Sequence, residues 1–247
     1  MKRRSFLGRT AVISASVLGM PSLHSINREE KAPALPNNLR LVFQGDSITD
    51  SGRDRGNYYA NATSGMGRGY VYQIVSNLLG KHPESTLHCF NRGISGNKVF
   101  QLADRWDIDC LGLQPDVLSI LIGVNDYWHM LNGQYEGTVK VYQDDFRRLL
   151  ARTRTALPNV KLVIGEPFAV AGGTAINEKW NEFDGYREVA HQLAEEFDAA
   201  WVPYHTIFND ALVHAPASYW CPDGVHPSMA GAYLMKEAWL QAFETFF

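Results

Sequence analysis

The chain predicts an α/β domain: a parallel sheet of about five strands with helices on both sides. Three observations point there. Short apolar runs alternate with longer segments of helical period. One run, Val117 to Ile122, is apolar without interruption, as in a central strand buried on both faces. Several runs stop at glycine and small polar residues, which compete for backbone hydrogen bonds and end a strand.

At 247 residues, 45% hydrophobic and with a formal net charge of -3, the chain suits one globular domain and carries no basic footprint for nucleic acid. Cys89, Cys110 and Cys221 are too few and too scattered for a disulfide framework or a zinc site. His82, His88, His129, His191, His205 and His214 show no paired ligand spacing, so no metal and no cofactor is expected.

Lys2-Arg3-Arg4-Ser5-Phe6-Leu7, a weakly apolar run from Thr10 to Met20 and small residues near Ser25 describe an export signal over residues 1–25. The paired arginines resemble a twin-arginine signal, which predicts a periplasmic or secreted protein. The apolar run is too short to span a bilayer, so no stable membrane insertion is expected. Residues 26–38, with Pro33 and Pro36, read as a linker, and the folded domain as residues 39–247.

In order, the first strand is the run Leu41, Val42, Phe43, ended by Gly45. Ser51 to Gly69, rich in Gly, Asn, Arg and Tyr, reads as a long loop at its mouth. Ile74, Val75, Leu78 and Leu79 predict a helix from Tyr70 to Gly80, and Thr86 to Phe90 a second strand. A helix is expected from Val99 to about Cys110, then the central strand, ending in Gly123-Val-Asn-Asp126. Val139 to Thr153 has helical spacing and closes before Pro158; Val160 to Ile164 is a fourth strand. Glu178 to Phe197 is again helical, and Ala200 to Val202 a brief fifth strand. The last helix is expected to carry Pro227 just inside its start, with Leu234, Ala238 and Phe243 on one face.

Strand C-termini of a parallel sheet lie along one edge, where ligands bind. Gly45-Asp46-Ser47, Gly93-Ile94-Ser95-Gly96 and Gly123-Val124-Asn125-Asp126 therefore converge, and Asp223-Gly-Val-His226-Pro227 precedes the final helix. Pro227 disfavours a helical conformation for His226, which leaves the histidine on a loop. These residues assemble acyl transfer. Ser47 is a nucleophile if His226 takes its proton, and Asp223 fixes the imidazole tautomer. The N–H groups of Ser47 and Gly96 and the amide of Asn125 are donors for an oxyanion. Taken alone, Ser47 also fits a helix cap and Asn125 a turn residue.

The four segments resemble the blocks of the SGNH, or GDSL, hydrolase superfamily, over a match from about Leu41 to Phe243. The resemblance implies a three-layer, flavodoxin-like α/β/α fold and a metal-free serine esterase working through an acyl-enzyme, with the roles just given. Ile48 stands where the family name has leucine, and no Gly-x-Ser-x-Gly elbow is present. Gly67-Arg-Gly-Tyr70, Asn91-Arg-Gly-Ile-Ser-Gly-Asn97 and Ile122-Gly-Val-Asn-Asp-Tyr-Trp128 are most similar to bacterial acetylxylan esterases and related carbohydrate deacetylases. That likeness implies an acetylated saccharide substrate and allows a homo-oligomer. Asp46, Trp128 and Trp220 are the expected substrate contacts, with core packing the alternative for each tryptophan. Asp50, Arg53 and Arg55 are expected at the entrance. The rival readings are a lipase, thioesterase or lysophospholipase for longer acyl chains, and a non-catalytic saccharide binder.

Overall fold

The computed structural model describes residues 35–247; the expected export signal and residues 26–34 of the linker lie outside them. The other end of that linker is part of the domain. Leu35 is buried in the core, and its carbonyl accepts from Ser85 Oγ at 2.8 Å.

Five parallel strands form the sheet: β1 (Leu39–Gly45), β2 (Leu87–Asn91), β3 (Val117–Leu121), β4 (Lys161–Gly165) and β5 (Ala200–Val202). Their spatial order is β2-β1-β3-β4-β5, with Phe43 level with Asn91 on one side and Ser119 on the other. This is the flavodoxin-like order, whose switch point lies between β1 and β3.

The helices are α1 (Ser47–Asp50), α2 (Tyr70–Lys81), α3 (Val99–Asp104), α4 (Trp106–Asp109), α5 (Val124–Leu131), α6 (Val139–Ala156), α7 (Asp184–Glu196), α8 (Tyr204–Ala211), α9 (Ala217–Trp220) and α10 (Met229–Glu244). Helices α2, α8 and α10 pack together on one face of the sheet, and α3, α6 and α7 on the other. Each layer is seated by a buried tryptophan whose N–H finds a partner. Trp239 of α10 packs on Phe43 and donates to Ser119 Oγ at 2.9 Å, while Trp106 of α4 donates to Thr153 Oγ1 at 3.0 Å. Burying indoles of this size contributes strongly only when that N–H is satisfied.

Several expectations are corrected. The segment after Gly123 is helix α5 rather than a loop: Val124 and Tyr127 are buried one turn apart, a period masked by the turn-like Gly-Val-Asn-Asp. Tyr204–Ala211 is a further helix, where Tyr204 and Phe208 are buried. The helix expected over Val99–Cys110 breaks at Arg105, whose guanidinium turns inward to Arg92 O, Asn97 Oδ1 and Asp109 Oδ2. The first turns of the Glu178–Phe197 segment are a 3-10 helix before α7 begins. Pro227 precedes the last helix instead of starting it. Ser228 is its N-cap, with Oγ accepting from Gly231 N–H, and Leu234 is only half-buried.

Candidate active site

The C-terminal ends of β1, β2 and β3 meet at the switch point. β1 stops at Gly45, where any Cβ would lie 2.4 Å from Leu121 O and from Thr49 Oγ1. Asp46 then caps α1, its Oδ1 accepting from Ile48 N–H at 3.0 Å, which leaves Ser47 as the first helical residue and half-buried.

From the opposite end of the chain, His226 reaches that serine. Ser47 Oγ lies 2.8 Å from His226 Nε2, and His226 Nδ1 lies 2.6 Å from Asp223 Oδ2. Asp223 Oδ1 accepts from the backbone N–H groups of His226 (2.7 Å) and Val225 (2.8 Å). Burial alone would raise the Asp223 carboxyl. The His226 backbone N–H, the His226 ring and the Val225 N–H together outweigh it and hold the group below the usual carboxylate range. An ionised Asp223 orients the imidazole with Nε2 toward Ser47, an arrangement able to take the hydroxyl proton.

Gly96 adopts φ +81°, the left-handed region, and an added Cβ there would meet nothing within 4 Å. Glycine adopts that backbone conformation without the strain a side chain would bring. Asn125, buried on α5, donates from Nδ2 to Asn97 O at 3.3 Å. That amide therefore sits against the Gly96–Lys98 loop with a second N–H to offer. Gly123 makes the strand-to-helix turn possible, with φ +130° and the Tyr142 hydroxyl 3.0 Å from any added Cβ.

A buried polar clasp, unforeseen in the sequence, fastens this loop. Asp50 Oδ2 accepts from Ser95 N–H (2.9 Å), Ser95 Oγ (2.8 Å) and Arg55 Nη2 (2.5 Å). Burial would raise the Asp50 carboxyl, but Arg55 and the two Ser95 bonds prevail and hold it low. Arg53 Nε donates to Gly93 O at 2.8 Å, Asn91 Oδ1 accepts from Gly93 N–H at 2.9 Å, and Asp126 Oδ1 accepts from Val99 N–H at 3.1 Å. Asp50 and Arg53 are thus buried struts rather than entrance charges; Arg55 is half-exposed. The sequence signal, two charges after a short turn, does not distinguish the two.

Asp46 is a further correction. It is fully buried, so it meets no substrate, and burial pushes its carboxyl up to about 7 against the pull of Ile48 N–H and His226. Asp126, also fully buried, is likewise raised by burial to about 7. Trp220 is partly exposed, and its N–H is shared by Ala211 O (3.0 Å) and Ala215 O (3.1 Å), pinning the turn between α8 and α9. Trp128 packs edge-on against Trp180 and stays partly exposed. The residues around Asp223 are held by a second loop that the sequence reading passed over. Val170 N–H donates to Gly224 O at 2.8 Å and Ala175 N–H to Asp223 O at 3.0 Å. A Cβ on Gly173 would lie 2.2 Å from Gly224 N. The Gly172-Gly173 pair was the available sign.

Comparison with known proteins gives the family. Residues 43–234 match the model of the GDSL-like Lipase/Acylhydrolase family. The chain is 35% identical over 213 residues to an acetylxylan esterase of Geobacillus stearothermophilus, covering 82% of this chain and 92% of that one. The crystal structure of an acetylxylan esterase from that organism, Axe2, superposes with a TM-score of 0.76 at 31% identity, over 84% of this chain and 94% of the other. Two catalytic mutants of Axe2, one at a serine and one at a histidine, are also among the similar structures. A protein of Parabacteroides merdae ATCC 43184, assigned as a GDSL-like lipase, gives a TM-score of 0.83 at 48% identity, over 85% and 97% of the two chains. The chain belongs to the GDSL-like lipase/acylhydrolase family and is a carboxylic ester hydrolase.

Proposed function

We propose that this chain is a serine acetylesterase that removes O-acetyl groups from saccharides, through an acetyl-enzyme on Ser47. The observation that carries the reading is the 2.8 Å approach of Ser47 Oγ to His226 Nε2, with Asp223 behind the ring. In the first half-reaction His226 Nε2 takes the Ser47 proton as Oγ bonds to the acetyl carbonyl carbon. The oxyanion accepts from the N–H groups of Ser47 and Gly96 and from Asn125 Nδ2; each donor typically contributes roughly 3–4 kcal/mol in the transition state. Collapse breaks the ester bond, and the leaving sugar oxygen takes the proton from His226. In the second half-reaction His226 deprotonates a water that attacks the acetyl carbon, and acetate leaves as the proton returns to Ser47.

The saccharide assignment is supported by the acetylxylan esterase of Geobacillus stearothermophilus, of which this chain covers nearly the whole length. Trp128, partly exposed just after Asn125, is available to a sugar ring. Export by the twin-arginine route would bring the folded enzyme to such substrates, and replacing Arg3 and Arg4 by lysine should then retain it in the cytoplasm. Among the described residues no helix is long and apolar enough to cross a membrane.

Hydrolysis of p-nitrophenyl acetate tests the mechanism. Ser47→Ala and His226→Ala should each lower kcat by at least about 10³-fold, and a near-normal rate in either overturns it. A fluorophosphonate should label Ser47. A series from acetate to octanoate esters should fall in rate with chain length; a preference for octanoate would favour a lipase instead.

A further inference from the structure

Beside the reacting residues lies an open groove of about 1450 Å³, larger than the roughly 300–1,000 Å³ of ordinary small-molecule sites. An acetyl ester needs a small part of it. Its walls come from the two ends of the chain: Tyr59 and Tyr72 from the loop after α1 and from α2, Tyr219 and Tyr233 from α9 and α10. These rings are 67%, 40%, 57% and 52% exposed, an unusual outlay of aromatic surface in one place. Gln73 Nε2 donates to Met229 O at 3.3 Å, tying the two walls together. Ser228, at one edge, stands just past His226, and Gly52, at another, stands just past the helix that begins with Ser47. The groove therefore adjoins the chain segments that carry Ser47 and His226, although neither residue lines it.

We infer that this tyrosine-walled groove binds the saccharide chain flanking the acetylated residue, so that the enzyme prefers an oligosaccharide over a single sugar. The inference rests on the deacetylase reading and extends it to residues remote from the ester. Its chemistry fits sugar better than the alternatives. A pyranose ring presents an apolar C–H face and a rim of hydroxyls, and tyrosine offers a flat ring with a polar tip. Polar side chains stand among the tyrosines: Asp54, Gln73 and the Arg68 guanidinium, whose Nη2 lies 2.9 Å from any Cβ built on Gly52. Among the described residues Arg68 makes no ion pair, leaving its donors for hydroxyl oxygens. No Leu, Ile, Val, Phe or Trp lines the groove, which is poor material for a long acyl chain. The interspersed polar groups and the nearness to the segments that carry Ser47 and His226 favour a bound chain over a second copy of the protein.

The test is calorimetric titration of xylohexaose into the Ser47→Ala protein, alone and combined with Tyr72→Ala and Tyr219→Ala, one from each wall. Each tyrosine loss should weaken Kd about 3–10-fold and the pair more than 10-fold, while Tyr→Phe at either site restores most of the affinity. In proteins with Ser47 intact, the ratio of kcat/KM for acetylated xylohexaose to that for p-nitrophenyl acetate should fall by the same factors. No binding of xylohexaose, or an unchanged Kd in the double variant, overturns the proposal. So does a double variant that changes the oligomeric state by sedimentation velocity while its affinity is kept. Binding to Ser47→Ala needs no turnover. A wild type that binds xylohexaose in the groove but cleaves no acetyl ester would sink the esterase reading and leave the groove standing. One that cleaves p-nitrophenyl acetate without binding xylohexaose would do the reverse.

Discussion

The loops after β1, β2 and β3 rest on buried polar groups: Asp50, Arg53 and Asn91 are at most 6% exposed and bond directly to the backbone around Gly93–Ser95. Asp223 and His226 stand on a loop that solvent reaches, their side chains 33% and 45% exposed. The proposed oxyanion donors thus stand beside buried polar groups of the core. Donors held in that way would need little reorganisation when charge appears. The acid–base pair is instead held by its own short loop, through two backbone N–H groups on Asp223 and the close crossing of Gly173 and Gly224. Damage to the first region should therefore cost both stability and rate. Damage to the second should cost rate with little loss of stability.

The largest expected effect is on the exposed side. Asp223→Asn keeps the size but removes the charge that selects the tautomer, so kcat should fall roughly 10³–10⁴-fold with the melting temperature nearly unchanged. A loss of several degrees would break the contrast. Asn125→Ala removes one oxyanion donor and should lower kcat about 10²–10³-fold; a change confined to KM would contradict that role. Asp50→Ala leaves Ser95 N–H and Oγ without their acceptor and Arg55 without its partner. It should cost roughly 1–3 kcal/mol in urea denaturation, and the loosened loop should lower kcat about tenfold. Normal stability with normal activity would show that the clasp is not needed.

A last effect is on pH dependence, and it grows only gradually with pH. Burial holds the Asp126 carboxyl up at about 7, above its ordinary 3.8. Below about pH 4 the group is neutral in the folded and unfolded chains and costs nothing. As pH rises toward 7 the unfolded chain loses its proton first, and stability falls; the penalty is complete above 7 and is on the order of 4 kcal/mol at most. Asp126→Asn escapes it, so its stability relative to wild type should improve steadily between pH 4 and pH 8. A constant difference over that range would mean that the buried carboxyl is not held neutral.

Much of the site was legible because its segments carry strong local chemistry. Ser47, Gly96, Asn125, Asp223 and His226 each follow a strand end or precede a helix, and a parallel sheet must gather such ends along one edge. The clasp was not legible: nothing in Asp50 or Arg53 says whether the charge faces water or Ser95 and Gly93. Nor was the glycine crossing of 173 and 224, which joins segments of no shared pattern.

The order and composition of its segments alone thus determined this protein's sheet class and pointed to the residues proposed to react, since hydrophobic period and turn chemistry act over a few residues. Burial and long-range approach were decided only in three dimensions. They buried Asp46, put Gly96 in the left-handed region, and set tyrosines from both ends of the chain around one groove. The physical reason is that exposure belongs to a residue's neighbours in space, and those neighbours are chosen by how α2 and α10 pack on one face of the sheet.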